Sequence, residues 1–582
     1  MSLLKNLAPA NLRTQYQMAR VMGNLSADVG RAYAQWLAAL ALHPGFVMKH
    51  SVALTGDYLG ISADLMRQAA GLPADGGNAG GAEPGPGDRR FGGAAWGKRP
   101  VFNAVRRAWQ STTKTTLSLA DGTPGLDEDT ARKLRFFTGQ FLDAVAPSNF
   151  ALSNPEVLEA TRQTRGRNLV DGVRNFWSDL DLQHGRLKIS MSDMGAFKVG
   201  RDLAVTPGKV IYQNELMQLI QYTPTTPRVA RRPLLFIPPW LNKYYVLDMQ
   251  PSNSMVRWAV DQGHTVFLIS WVNPNGETRD KTFDDYMLEG PLTALDVIKD
   301  VTGQEEVNAM GYCLGGILLT AMLAWLEAKG RRPIRSASFM TTLVDYGDVG
   351  DIKVFVTEDL VDRLEAVGRA RGFIPGDNVS WGFRMLRAPD LIWTFIINHY
   401  LLGKPRVPFD LLYWNEDATN MPAACHVWFM RNMYLKNLLR VPNALEIAGE
   451  PIDVTRITTP SYVLATRDDH IAPWKTCYQT TQLFAGPCRF ALGNSGHIAG
   501  AINPPTKVKY GFRAGDQPPA DPDQWFGAAE EKPGSWWLDW GAWLKKHAGG
   551  QVKARQPGTH ADYPVIEDAP GSYVKRSLDE TR

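Results

Sequence analysis

Cysteine is scarce in this chain. Its 582 residues include four, Cys313, Cys425, Cys477 and Cys488, too few to staple a chain of this length into a disulfide framework. The spacing from Cys477 to Cys488 fits no zinc pattern, and nothing in the sequence asks for a metal or redox cofactor. A one-sided charge is also missing. The net charge is +4 and no basic run is dense, which argues against a nucleic-acid partner. The first residues hold no compact apolar stretch ending in a small-residue cleavage site, so no secretory signal is expected. A reducing, cytoplasmic setting is the expectation. The most apolar early segment, "AYAQWLAALALHPGFVMKHSVAL", is broken by Gln35, His43, Pro44 and Lys49. It is too interrupted for a membrane span and reads as two amphipathic helices turning at His43-Pro44-Gly45. No internal repeat is visible.

What is present is a globular composition. Hydrophobic residues make up 44% and charged residues 21%, enough to bury a core. The length exceeds one ordinary domain and predicts two or three. Residues 1–190 read as a mostly helical N-terminal domain, interrupted over about 71–88 by "GLPADGGNAGGAEPGPGD", a flexible Gly- and Pro-rich linker. Ser153 or Asn154 can cap a helix that begins at Pro155. From about 191 to 582 the pattern changes. "KVIYQNELMQLIQYTPTT" reads as two strands joined at Asn214-Glu215, and short apolar runs then alternate with helical stretches: "PLLFIPPW", "TVFLISWV", "PLTALDVIKDVTG", "VNAMGYC", "LGGILLTAMLAWLEAKG", "IRSASFMTTLVDY". Strand, helix and strand in alternation predict an α/β architecture with a parallel sheet. About 350–455 lacks this alternation and is expected to be a cap inserted before the last strands, by analogy with folds of this class.

The chemistry concentrates at "AMGYCLGGILLTAML". An apolar strand runs into Gly311-Tyr312-Cys313-Leu314-Gly315, and an apolar helix leaves it. That is the strand–turn–helix of a nucleophile elbow, as in the α/β-hydrolase fold, with cysteine where hydrolases have serine. The bland alternative is a buried cysteine beside a glycine-rich turn. A free thiol has a pKa near 8.5, so a helix N-terminus and a histidine are needed to make the thiolate. The fold presents its triad in the order nucleophile, acid, histidine. "VLATRDDH" puts Asp468 and Asp469 just after an apolar strand, and "FALGNSGHIAG" puts His497 in a small-residue loop after the next. The chemistry of the residues leaves Asp468 and Asp469 both open. His470 adjoins the acid and is assigned a supporting role around it. Asp453 precedes the strand and reads as a solvated loop residue. The oxyanion of an acyl-transfer intermediate needs backbone donors. Leu314 supplies one N–H. Pro238 and Pro239 have none, which leaves Trp240, Leu241 and Asn242 for the second, with Leu241 chosen. A thiol exchanges readily with a thioester because attacking and leaving groups are both sulfur, so a cysteine here favours acyl transfer from a coenzyme A thioester.

"GYCLGG", "PPWLNKYYVLDMQP", "YWNEDATNMP", "TRDDHIAPW", "GNSGHIAGAINPP" and "GSWWLDWGAWLKKHAG" together resemble the polyhydroxyalkanoate synthases, over about 90–582. The length resembles the single-subunit class. The resemblance implies polymerisation of (R)-3-hydroxyacyl-CoA, most often 3-hydroxybutyryl-CoA, with the polyester growing on the cysteine. Coenzyme A is then part of the substrate, and no cofactor is implied. The resemblance puts Cys313, Asp469 and His497 in the catalytic positions and thereby prefers Asp469 over Asp468. It further implies homodimers, a cap that opens, and residence at a polymer granule, with granule-associated proteins as partners. The tryptophans of "SWWLDWGAW" are read either as core or as a polymer-contacting surface. Two rivals stand beside this reading: a thioesterase or hydrolase with the same triad, and an inactive granule scaffold.

Overall fold

The computed structural model describes residues 27–72, 88–181 and 186–578. The predicted linker lies almost wholly outside the described residues, as does the start of the N-terminal helical region. The described chain divides into two compact units. One is the chain up to Asp193 together with Trp381–Val407, and the other is Met194–Ser380 with Pro408 onward.

The first unit is helical. Its main helices are α1 (Ala27–Leu42), α2 (Pro44–Ala69), α3 (Pro100–Gly122), α4 (Glu128–Ala144) and α5 (Arg167–Asp179). Proline opens α2 and α3, where its missing N–H costs nothing. Asp127 caps α4 by accepting from Thr130 N–H at 2.9 Å. Asn154, one of the two residues expected to do so, caps the helix that starts at Pro155 through the N–H groups of Glu156 and Val157. A buried ion pair, Arg107 with Asp64 at 2.8 Å, ties α3 to α2. No single helix among the described residues is long and apolar enough to cross a membrane.

The sequence treats 350–455 as one insertion, but packing divides it. Trp381–Val407 belongs to the helical unit because polar anchors hold it there. The buried Asp179 carboxylate accepts from Tyr400 Oη and Arg406 Nη2, both at 2.6 Å. Arg384 Nη1 donates to the Ile189 carbonyl at 2.8 Å. At Gly172 a Cβ would fall 1.9 Å from the Tyr400 carbonyl oxygen, so only glycine permits that approach.

The second unit is built on an eleven-stranded sheet. In chain order the strands are β1 (Gly208–Gln213), β2 (Met217–Tyr222), β3 (Leu234–Ile237), β4 (Val266–Trp271), β5 (Val307–Tyr312), β6 (Ile334–Met340), β7 (Ser461–Thr466), β8 (Cys488–Gly493), β9 (Phe512–Asp516), β10 (Glu531–Lys532) and β11 (Glu567–Asp568). Their order across the sheet is β10-β9-β8-β7-β6-β5-β3-β4-β2-β1-β11. The centre, β4-β3-β5-β6-β7-β8, is parallel, and the outer strands at both edges are antiparallel. The central strands β4, β5 and β7 are buried along their whole length, which is why they read as continuous apolar runs. Helix α6 (Leu314–Ala328) is buried at every residue except Trp325, Glu327 and Ala328.

The last helix, α7 (Trp536–His547), buries Trp536, Trp537, Trp540 and Trp543. These tryptophans are core. Trp540 is fully buried, and its indole N–H donates to Ser338 Oγ on β6 at 2.9 Å. We expect Trp540→Ala to lower the unfolding free energy of the sheet unit by about 3–5 kcal/mol in urea denaturation. Leu538→Ala on the exposed face of the same helix, where Leu538 is 60% exposed, should stay within about 0.5 kcal/mol of the parent.

Candidate active site

Every sequence-selected reactive group lies beyond the C-terminal end of a parallel strand: Cys313 after β5, Asp469 after β7, His497 after β8. Ligand sites of open α/β sheets form at this edge. Cys313 has φ +52° and ψ −118°, a conformation that a side chain rarely adopts. It is locked from several sides. Its N–H donates to the Met340 carbonyl at 2.8 Å, and its carbonyl accepts from Gly316 N–H at 2.9 Å and from Thr342 Oγ1 at 3.3 Å. The surrounding glycines are sterically required. A Cβ would meet Gly316 Cα at 2.4 Å from Gly311, the Ile237 carbonyl oxygen at 1.9 Å from Gly315, and Thr342 Oγ1 at 2.0 Å from Gly316. The turn therefore holds strand, helix and the end of β3 in backbone contact. Cys313 is half-buried, whereas Cys425, Cys477 and Cys488 are buried.

His497 Nδ1 donates to Asp469 Oδ2 at 2.7 Å. The other carboxylate oxygen accepts from the N–H groups of Ile471 and Ala472 at 2.8 and 2.9 Å, and Thr466 Oγ1 donates to Oδ2 at 3.3 Å. The Cys313 thiol is within hydrogen-bonding reach of the His497 ring, so sulfur, imidazole and carboxylate form one chain. Geometry separates the two aspartates: Asp469 is buried on His497, while Asp468 is exposed. His470 is half-buried in the turn whose next two amides bind Asp469.

Burial alone would discharge the imidazole. The Asp469 carboxylate, with a further contribution from the neighbouring Cys313 sulfur, outweighs it and pushes His497 up to about 10. The same buried partnership, with the two amides, holds Asp469 below its ordinary value against the opposing effect of burial. A charged histidine on a charged Asp469 is therefore the favoured arrangement.

Leu314 is the first residue of α6, so its N–H has no carbonyl a turn behind it. Leu241 lies past the end of β3, packed with Cys313 against the main core of the unit. Its carbonyl accepts from Thr419 Oγ1. Neighbouring Trp240 is buried edge-on against Phe283 and Phe429. Two residues at the site were not found from sequence. Tyr346 and Tyr434 have ring centroids 4.9 Å apart. Burial raises both phenols, and charge at Cys313 adds to the effect on each. Tyr434 falls in "NMYLKN", inside the insertion whose lack of periodicity gave no placement.

Residues 87–259 match the family described as the N-terminus of poly-beta-hydroxybutyrate polymerase (PhaC), and residues 232–504 match the alpha/beta hydrolase fold. The chain is 44% identical over 494 residues to a poly(3-hydroxyalkanoate) polymerase of Methylorubrum extorquens, covering 85% of this chain and 81% of that one. It is 43% identical to a poly(3-hydroxyalkanoate) polymerase subunit PhaC of Cupriavidus necator, covering 84% and 83%. The chain belongs to the poly(3-hydroxyalkanoate) polymerase family. Members are acyltransferase-type polymerases, so this chain is an enzyme on an α/β-hydrolase fold. Among solved structures, a monoacylglycerol lipase of Paleococcus ferrophilus aligns over 57% of this chain and 99% of its own, with 12% identity and a TM-score of 0.33.

The charge pair gives a pH signature for the polymerase fold. His497 is raised, so its contribution to stability is complete below the unfolded value of 6.5 and is lost as pH rises towards about 10. Asp469 is lowered, so its contribution is present above the unfolded value of 3.8 and is lost as pH falls below it through the lower folded value. Asp469→Asn should therefore destabilise most between about pH 4 and 6.5, with the deficit shrinking towards pH 10 in urea denaturation. A deficit independent of pH would show that the pair is not charged.

Proposed function

We propose that this polymerase builds its polyester from (R)-3-hydroxyacyl-CoA, most often 3-hydroxybutyryl-CoA, through a covalent thioester at Cys313. The observation that carries this reading is the continuous chain from Cys313 through His497 to buried Asp469. The thiolate attacks the thioester carbonyl, and a tetrahedral oxyanion forms against the N–H of Leu314, with Leu241 as second donor. The carbon–sulfur bond to coenzyme A breaks, and the departing thiolate takes the proton from the His497 imidazolium. The acyl group now sits on Cys313 and the sulfur is neutral.

That neutralisation sets up the second half. Part of what raises His497 is the charge at Cys313. Once the sulfur is acylated, that contribution is gone and burial draws the imidazole pKa back down. His497 has also just given up its proton, so it can accept one from the 3-hydroxyl of the next hydroxyacyl-CoA as that oxygen attacks the thioester. The carbon–sulfur bond to Cys313 breaks, and the Cys313 thiolate is restored beside the imidazolium. The lengthened chain, now a coenzyme A thioester, returns to Cys313 by a repeat of the first step. Asp469 keeps the ring oriented and stabilises it when charged. His470 serves by shaping the turn that delivers the two amides to Asp469. No metal or redox group enters this sequence. Homodimers, a cap that opens and work in the cytoplasm at a polymer granule belong to the same proposal, supported by the resemblance and by the insolubility expected of a polyester product.

The test is incubation of the purified full chain with (R)-3-hydroxybutyryl-CoA, following coenzyme A release and acyl product together. The wild type should release coenzyme A and form insoluble polyester, and Cys313→Ala should do neither, a loss of at least about a thousandfold given the size of nucleophile knock-outs. Release with only free hydroxy acid would make the enzyme a thioesterase, and equal activity of the Cys313→Ala variant would remove Cys313 from the mechanism.

A further inference from the structure

We propose that Tyr346 is a specificity-determining residue of this polymerase, its hydroxyl donating a hydrogen bond to the 3-oxygen of the hydroxyacyl unit held on Cys313. This rests on the covalent reading of the site given above.

Tyr346 follows β6 on the loop tied to the elbow. Four residues earlier in that loop, Thr342 donates to the Cys313 carbonyl. The ring is fixed. The Tyr346 N–H donates to Asn437 Oδ1 at 2.8 Å. The preceding Asp345 is clamped by Asn437 Nδ2 at 2.7 Å and by Arg440 Nη1 at 2.6 Å. The ring packs edge-on against Tyr434 and Phe429, at 4.9 and 6.1 Å between centroids. Tyr346 is only 4% exposed, yet its hydroxyl has no hydrogen-bond partner. A buried hydroxyl left unpaired is costly, and a ring held this firmly cannot swing to find a partner.

Other buried hydroxyls are also unpaired, among them those of Tyr222 and Tyr286. The charges acting on Tyr222 come from Tyr244 and Asp248, and those on Tyr286 from Cys425 and Glu289. Tyr312 is also unpaired and feels Cys313, but it is the last residue of β5 with its ring 5.7 Å from that of His497. Tyr346, on the loop after β6, feels Tyr434 and then Cys313. Its burial keeps the phenol protonated at working pH, so it can only offer a donor to an incoming acceptor.

An acyl unit on Cys313 brings two oxygens. The thioester carbonyl is directed to the N–H at the start of α6. The oxygen on the third carbon remains, as a free hydroxyl on a first unit or as an ester oxygen in a chain, and either accepts a hydrogen bond. A site built around such a bond discriminates strongly against an analogue that lacks the oxygen, because the buried donor is then left unpaired.

The experiment compares single-turnover coenzyme A release from (R)-3-hydroxybutyryl-CoA and from butyryl-CoA, in the full-length wild type and in Tyr346→Phe. The variant should acylate about tenfold more slowly with the hydroxylated substrate, equivalent to about 1.4 kcal/mol, and at an unchanged rate with butyryl-CoA. Its thermal midpoint should equal or exceed that of the wild type, since the lost hydroxyl had no partner. Equal slowing with both substrates would make Tyr346 structural and overturn the proposal. So would no slowing with either. A wild type acylated by neither substrate would instead overturn the covalent reading, and this inference with it.

Discussion

The dihedral of Cys313 is the constraint on which the site depends. At φ +52° the residue turns the chain from β5 into α6 in a single step and leaves its sulfur at the sheet edge. The strain persists only because the surroundings over-determine it. Met340 holds the N–H, Gly316 and Thr342 hold the carbonyl, and Gly311 and Gly315 let backbone meet backbone where no Cβ fits, while Gly316 makes room for the Thr342 side chain. The same close approach brings the end of β3 against the start of α6 and so fixes where an oxyanion can be received. The loop after β6, tied to the elbow through Thr342, also carries Tyr346.

Around that fixed sulfur the electrostatics are arranged as alternating charge. Asp469 would be expensive to bury alone, and two amides, a hydroxyl and the imidazole satisfy it. His497 would be neutral if buried alone, and the Asp469 carboxylate keeps it charged. On the covalent reading proposed above, acylation of Cys313 would remove one negative charge, and the histidine would change from proton holder to proton acceptor. This is why cysteine suits the position. On that reading its sulfur would carry the charge that acylation erases, and the thioester would remain activated for the next hydroxyl.

Much of this was legible in the chain because two-face burial leaves a plain mark. Strands such as Val266–Trp271 and Val307–Tyr312 are apolar throughout, and the residues that follow them carry the chemistry. The glycines around Cys313 announced a close approach that the structure shows atom by atom. Asp469 could not be separated from Asp468 by residue type, since the two differ only in which side of a turn they face. The insertion was opaque for a different reason. Its segments include irregular π-type turns at Pro389–Trp393, Ile396–Leu401 and Met430–Leu435, whose period matches neither a regular helix nor a strand. Trp381–Val407 joins the helical unit through single contacts such as Arg406 to Asp179, which leave no periodic trace. The edge strand Glu567–Asp568 is two residues long and had no pattern to show. Tyr346 carries no motif either. Its interest lies in an unpaired hydroxyl, which only the packing around it reveals.

The most direct test of the account is to quench the enzyme after brief exposure to (R)-3-hydroxybutyryl-CoA, digest it and map the acylated peptide by mass spectrometry. The account predicts adducts of one or more hydroxybutyryl units on the peptide containing Cys313, removed by hydroxylamine as a thioester would be. Adducts on another residue, or polymer formed with Cys313 never acylated, would contradict it.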